Sequence, residues 1–266
     1  MSKQSLFSNL WAVILGGSSG FGLASVKKLA AHGMNVAVLF REPSAQTKKA
    51  IDTFKQIAAE NGVEILPFNL NVLDAASRHS FIAEFGSIGK KGKVKLLLHS
   101  VARGNLKPLI ADGEQPELTA EDIQMTTYAM SNSLLDWTRD VLNAGLFHTD
   151  GRIIGLTSEG ANKYWDAYAA VAMAKASLQS LTTYMAVEFA PYGLKTNLIQ
   201  AGITNTAALQ KIPASDKLVE FAKKRNPLQR MTEPQDVANV IYLLCTDEAA
   251  WINGSLIHVD GGEHCR

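Results

Sequence analysis

Short, almost continuously apolar runs alternate with longer stretches of helical period along the chain. The runs are WAVILG (11–16), NVAVLF (35–40), VEILPFNL (63–70), KVKLLLHS (93–100), RIIGLTS (152–158), LKTNLIQAG (194–202) and SLIHVDGG (255–262). Few of them alternate apolar with polar positions, which is the pattern of strands covered on both faces. Between them lie helical segments such as GLASVKKLAAHG, with Gly33 placed to close the helix. The alternation predicts βαβ units and an α/β fold with a doubly wound parallel sheet of seven strands. No repeat, low-complexity tract or Pro/Gly-rich linker divides the chain, so residues 1–266 read as a single domain. One stretch breaks the rhythm. Residues 203–230, ITNTAALQKIPASDKLVEFAKKRNPLQR, insert weakly amphipathic helix after a strand end. Ligands bind at the carboxyl ends of strands in such sheets, so this insertion is expected to be a substrate lid.

Composition narrows the function classes. The 266 residues are 47% hydrophobic and 19% charged, enough apolar material for a sizeable core. A net charge of +1 gives no strong field for nucleic acid or an anionic membrane, and GKKGK (89–93) reads as a solvated loop. Two cysteines, Cys245 and Cys265, and six histidines without metal-ligand spacing point away from a disulfide framework or a metal site. The early run LWAVIL is too short for a signal or a spanning helix, and the expected location is cytoplasmic.

The first run leads directly into GGSSGFG: Gly16, Gly17, Ser18, Ser19, Gly20, Phe21 and Gly22. Glycines let the backbone turn sharply and approach a pyrophosphate, whose charge then sits at a helix N-terminus. The spacing G-x-x-x-G-x-G resembles that of the short-chain dehydrogenase/reductase family, with Leu15 where that family usually has threonine. LLLHSVA (96–102) takes the place of its NNAG strand end, His99 and Ser100 replacing both asparagines. IHVDGG (257–262) matches its C-terminal strand. QAGITNT (200–206) resembles the segment whose backbone and threonine, here Thr206, hold the nicotinamide carboxamide. The resemblance spans essentially the whole chain. It implies a Rossmann-like fold, with a nicotinamide cofactor held by Gly16, Ser18, Ser19, Gly20, Phe21, Gly22, Asn71, Val72, Ser100, Val101, Gly202, Ile203 and Thr206. At the end of the second run, the position of the usual ribose-binding acid holds Phe40, followed by Arg41. A guanidinium suits a 2′-phosphate, so Arg41 favours NADPH over NADH, with Glu42 expected to point to solvent.

YAAVAMAK (168–175) carries Tyr168 and Lys175 seven apart in a helical stretch of small residues. Seven residues advance about 700°, returning both side chains to nearly the same face. Common members of the family use Tyr-x3-Lys, but here the position four after Tyr168 is Ala172. Tyr-x6-Lys resembles the enoyl-[acyl-carrier-protein] reductase branch. Three extra residues move the tyrosine about 4.5 Å along the axis. The shift has the right direction for a donor to a thioester oxygen, which lies three bonds from the carbon that receives hydride. The resemblance implies Tyr168 as that donor and Lys175 on the nicotinamide ribose. In LTSEGA (156–161), Thr157 falls at the family's serine and Ser158 where many enoyl reductases carry a second tyrosine. Tyr164 is a candidate replacement for that tyrosine. An asparagine used in the proton relay of carbonyl reducers falls near Met130 and is missing; Asn132 is two positions off and expected to face elsewhere.

The resulting expectation is an NADPH-dependent enoyl-[acyl-carrier-protein] reductase of fatty acid synthesis. The alternatives are a carbonyl reducer, such as a 3-oxoacyl-[acyl-carrier-protein] reductase, and a catalytically silent NADPH-binding sensor. Ala207, Ala208, Leu209, Ile212, Leu218 and Phe221 offer an apolar slot for the acyl chain. Lys217, Lys223, Lys224 and Arg225 offer a basic face to an acidic carrier protein. The resemblance further implies a homotetramer built on the helices around 119–145 and 167–190.

Overall fold

The computed structural model describes residues 6–111, 113, 116–206, 209–211 and 215–266. Seven strands form one parallel sheet: β1 (Trp11–Leu15), β2 (Asn35–Phe40), β3 (Ile65–Asn69), β4 (Val94–His99), β5 (Phe147–Thr157), β6 (Lys195–Ala201) and β7 (Leu256–Val259). Their order is β3-β2-β1-β4-β5-β6-β7, so the winding reverses between β1 and β4 and opens a crevice at their carboxyl ends. The helices are α1 (Gly20–Ala30), α2 (Ser44–Asn61), α3 (Ala75–Ser87), α4 (Ala120–Thr127), α5 (Ser133–Asn143), α6 (Ala169–Glu188), α7 (Ser215–Arg225) and α8 (Pro234–Cys245).

Strand β1 shows why the apolar runs lack alternation. All five of its residues are buried. Ala12 and Ile14 enter a core with Val26 and Leu29 of α1 and Val237 and Ile241 of α8. Trp11, Val13 and Leu15 enter the opposite core with Phe81 and Phe85 of α3, Trp137 of α5 and Leu178 of α6. Successive strand side chains point to opposite faces, and both faces here are covered by helices. Strand β5 begins five residues before the expected 152. Asp150 in that extension gathers Lys95, Arg152 and Lys195 from three adjacent strands, and these contacts hold its carboxyl well below the usual carboxylate range.

Between α4 and α5 the long helix widens into a π-turn, Tyr128–Asn132, beside α6. This is the turn that carries Met130 at the place of the absent asparagine. Met130 is buried and lines the cavity described below, whereas Asn132 is exposed. Within the expected lid, the described residues form a short turn at Leu209–Lys211 and helix α7. Ala207, Ala208 and Ile212 lie outside the described residues, as do the side chains of Lys217 and Leu218. No helix among the described residues is long and apolar enough to cross a membrane.

Candidate active site

Two adjoining spaces open along the carboxyl edge of the sheet. The first is lined by Gly16, Ser18, Ser19, Arg41, Glu42, Asn71, Val72, Ser100 and Val101, with Arg103 at its margin. Its floor is tied to the core, since the Trp137 indole donates to the Val72 carbonyl at 2.8 Å. Helix α1 points its N-terminus at this space, and no side chain makes a cap hydrogen bond there. Free N–H groups and the positive end of an 11-residue helix suit an anionic phosphate. The turn depends on glycine: a Cβ on Gly22 would stand 2.1 Å from the Gly16 carbonyl oxygen, closer than real contacts allow. These features fit the phosphate and ribose portions of a dinucleotide.

Glu42 departs from expectation. Its carboxylate accepts a hydrogen bond from the Ser18 hydroxyl at 3.0 Å, and its backbone N–H donates to Asn69 at 3.0 Å. The residue is therefore held across the mouth of the cleft rather than pointing to solvent. Arg41 is exposed beside it.

The second space, a cavity of about 170 Å³, is lined by Phe21, Leu106, Met130, Trp165, Tyr168, Val171, Ile203 and Leu209, together with Thr157, Ser158, Gly202 and Thr206. Tyr168 caps the start of α6, its ring 5.0 Å from that of Trp165. Gly160 makes room for it, because a Cβ there would lie 2.6 Å from the Tyr168 ring. The phenol reaches Ser158 Oγ at 3.3 Å. Burial pushes the phenol above its ordinary range, partly offset by that hydrogen bond, so it stays protonated as a donor at neutral pH. Thr157 turns its hydroxyl toward Gln179, which donates to it at 3.4 Å. Thus Ser158, rather than Thr157, is the hydroxyl beside the tyrosine.

Two turns along α6, Lys175 is buried and donates to the Leu156 carbonyl at 2.7 Å. Burial lowers its amine to about 8. His99, at the end of β4, is buried against Ser133, with 2.8 Å between ring nitrogen and hydroxyl. Burial first, and the Lys175 charge second, push it down to about 3, so the imidazole is neutral at physiological pH.

Tyr164 does not replace a second tyrosine. It lies in the loop before α6, 87% exposed, and is absent from the cavity lining. Phe221 also points away, half exposed and under the Arg225 guanidinium. Leu209 is the one lid candidate whose described side chain lines the cavity; the other apolar walls come from Phe21, Leu106, Met130, Trp165, Val171 and Ile203. Arg225 is not part of a solvated basic face. Its guanidinium bridges Glu159 at 2.5 Å and Glu263 at 3.0 Å, joining α7 to both sides of the cavity. Lys223 and Lys224 are exposed, as expected. The two glutamates, Trp165 and Glu42 were missed by sequence reasoning. Their only sequence signal was adjacency: Glu159 follows Ser158, Glu263 follows DGG and Glu42 follows Arg41. Among the described residues no group of His, Cys, Asp or Glu is arranged to hold a metal ion.

Residues 16–264 match the family described as Enoyl-(Acyl carrier protein) reductase. The chain belongs to that family. It is accordingly an oxidoreductase of the short-chain dehydrogenase/reductase type that works with a nicotinamide cofactor. A probable 2,4-dienoyl-CoA reductase of Bacillus subtilis is 32% identical, over 94% of this chain and 95% of its own length. Carbonyl reductase [NADPH] 2 of Sus scrofa is 24% identical, over 97% of this chain and 98% of its own. The crystal structure of enoyl-[acyl-carrier-protein] reductase (NADH) from Aquifex aeolicus superposes with a TM-score of 0.84 at 25% identity, covering 98% of each chain. The relatives of this oxidoreductase therefore include reducers of both carbon–carbon and carbonyl double bonds, with both nicotinamide cofactors named among them.

Proposed function

We propose that this oxidoreductase reduces the 2,3-double bond of an enoyl thioester. The observation that carries the reading is the position of Tyr168 in the cavity wall with Lys175 two turns deeper, while apolar Met130 occupies the place of the relay asparagine. A bound nicotinamide would supply the hydride. Tyr168 would donate to the thioester oxygen as negative charge develops there, a contact that strengthens in the transition state. Ser158 would orient the phenol. Lys175 would exchange its Leu156 carbonyl for the nicotinamide ribose and favour the phenolic donor electrostatically. Leu106, Met130, Trp165 and Leu209 would enclose the acyl segment and exclude water. Gly16, Ser18, Ser19, Gly20, Phe21 and Gly22 would hold the pyrophosphate, and Asn71, Val72, Ser100 and Val101 the adenosine half. Gly202, Ile203 and Thr206 would flank the nicotinamide.

For the cofactor we propose NADPH, on the strength of Arg41 at the cleft rim. The Ser18–Glu42 hydrogen bond opposes a 2′-phosphate at the same place, so Glu42 must swing aside for NADPH to bind. An acyl carrier protein as thioester carrier, a cytoplasmic homotetramer and a single domain complete the proposal.

A second reading, carbonyl reduction, is favoured by one observation: Ser158 hydroxyl meets Tyr168 phenol at 3.3 Å, a pair suited to a carbonyl oxygen. Nicotinamide oxidation with crotonyl versus acetoacetyl thioesters separates the two. The enoyl reading expects turnover of crotonyl thioester to dominate. Faster turnover of acetoacetyl thioester would overturn it.

A further inference from the structure

The last turn of the chain carries a cluster that the oxidoreductase site does not use. Asp260 is buried, and its Oδ1 accepts the Gly262 N–H at 3.0 Å. Its Oδ2 accepts the His264 backbone N–H at 3.0 Å and lies 2.6 Å from His264 Nδ1. A carboxylate only accepts, so the ring proton sits on Nδ1 and Nε2 keeps its lone pair. Cys265 Sγ stands 3.4 Å from that Nε2. The His258 ring stacks on the His264 ring with centroids 3.9 Å apart, which holds the imidazole plane.

Thiol, imidazole and carboxylate thus stand in the order nucleophile, base and orienting group, the arrangement that activates a thiol toward an electrophile. Cys265 is exposed and open to a reagent, whereas Cys245 is buried. The His264 ring also lines a cavity of about 400 Å³ with Asn226, Leu228, Arg230 and His258. That cavity shares no lining residue with the one that holds Tyr168, and it leaves room beside the sulfur for an attached group. Arg230 on its wall is paired with Asp236 at 2.6 Å, so the group that meets the sulfur is the imidazole.

We propose that Cys265 is a thiol–disulfide exchange site, with His264 as its base and Asp260 as the positioning residue behind that base. The electrophile is a small disulfide, R–S–S–R. As Cys265 Sγ attacks one of its sulfurs, the thiol proton passes to His264 Nε2. The S–S bond of the reagent breaks, a Cys265–S–S–R bond forms, and the departing thiolate takes the proton from Nε2 as R–SH. The disulfide is the only oxidant required. The site is independent of the nicotinamide reading, and the failure of either leaves the other standing.

The test mixes the native protein with 4,4′-dithiodipyridine, reads the released thiopyridone by absorbance and locates the adduct by mass spectrometry. At pH 7 Cys265 should react at least about tenfold faster than N-acetylcysteine amide, a fraction of what a positioned base contributes in enzymes. His264→Ala should bring the rate to within about twofold of that reference thiol. Asp260→Asn should slow exchange in the wild-type background and change nothing in the His264→Ala background, because Asp260 acts through the imidazole. Equal slowing in both backgrounds would overturn its positioning role. A wild-type rate equal to the reference, an adduct on Cys245 instead, or an undiminished rate in His264→Ala would overturn the site itself. His264 lies outside the apolar cores, so the test stands even where the Asp260 variant fails to fold.

Discussion

Lys175 is the residue whose replacement gives the sharpest test of the site's energetics. A buried amine is held at about 8 against an ordinary 10.5, a displacement of about 2.5 pH units. At about 1.4 kcal/mol each, keeping the charge inside the fold costs on the order of 3 kcal/mol. Lys175→Met removes that cost but leaves the Leu156 carbonyl without its 2.7 Å donor, a loss of about 1 kcal/mol. The variant should therefore be more stable than the parent by about 2 kcal/mol at pH 7, while losing enoyl reduction. The sign with pH follows from linkage. Below about pH 8 both folded and unfolded chains carry the proton, and the folded chain bears the full burial cost. Between about 8 and 10.5 the folded amine has lost its proton while the unfolded one keeps it, so the cost is progressively relieved. The advantage of Lys175→Met should then be largest at neutral pH and shrink toward pH 10. Urea midpoints of both cofactor-free proteins, at matched concentration and at pH 7 and pH 10, measure it. A variant less stable than the parent at pH 7, or an advantage unchanged at pH 10, would refute the reasoning.

Three other outcomes are expected. Tyr168→Phe should lower kcat for crotonyl thioester by roughly 2.7–4 kcal/mol in barrier height, with dinucleotide affinity nearly unchanged; an equal loss in affinity would show the phenol acting on the cofactor instead. Arg41→Ala should weaken NADPH by roughly 1.5–3 kcal/mol and leave NADH nearly unaffected, whereas Glu42→Gln should strengthen NADPH, because it removes a negative charge held at Ser18. Fluorescence titration of both cofactors reads this, and a parent that binds them equally would sink the Arg41 assignment. Iodoacetamide should label one thiol in the native protein, exposed Cys265, and two after denaturation, since Cys245 is buried and its thiol is pushed up to about 12; rapid native labelling of Cys245 would contradict its place in the core.

The parts of this protein that were legible in the sequence share a physical property: they are decided within one element. The apolar runs gave seven strands because a strand covered on both faces must be apolar at nearly every position, as β1 is. Strand ends moved by one to three residues, and β5 grew at its start. There half-buried Asp150 is paired with lysines and an arginine on three strands, a partnership that no local pattern displays. The Tyr168–Lys175 pair was legible for the same reason. Tyr168 caps the helix that carries Lys175, and helix geometry converts a spacing in sequence into a distance along an axis.

Glu42 and Arg225 were misread because their partners are remote in sequence. Glu42 meets Ser18 across 24 residues, and Arg225 meets Glu263 across 38 and Glu159 across 66. A lysine or glutamate in a polar stretch reads as solvated because most are, and only the fold reveals a partner. These remote pairs have a common consequence. Glu42 closes one end of the cleft, and the Glu159–Arg225–Glu263 bridge ties helix α7 to both walls of the other. On the proposed reading, Ser18 would exchange Glu42 for a phosphate when a dinucleotide enters. On the proposed reading the Tyr168–Lys175 spacing would set which oxygen Tyr168 reaches. On the same reading the Ser18–Glu42 contact would bear on which cofactor enters, and it is a feature of this chain's own residues rather than of the helix that Tyr168 caps.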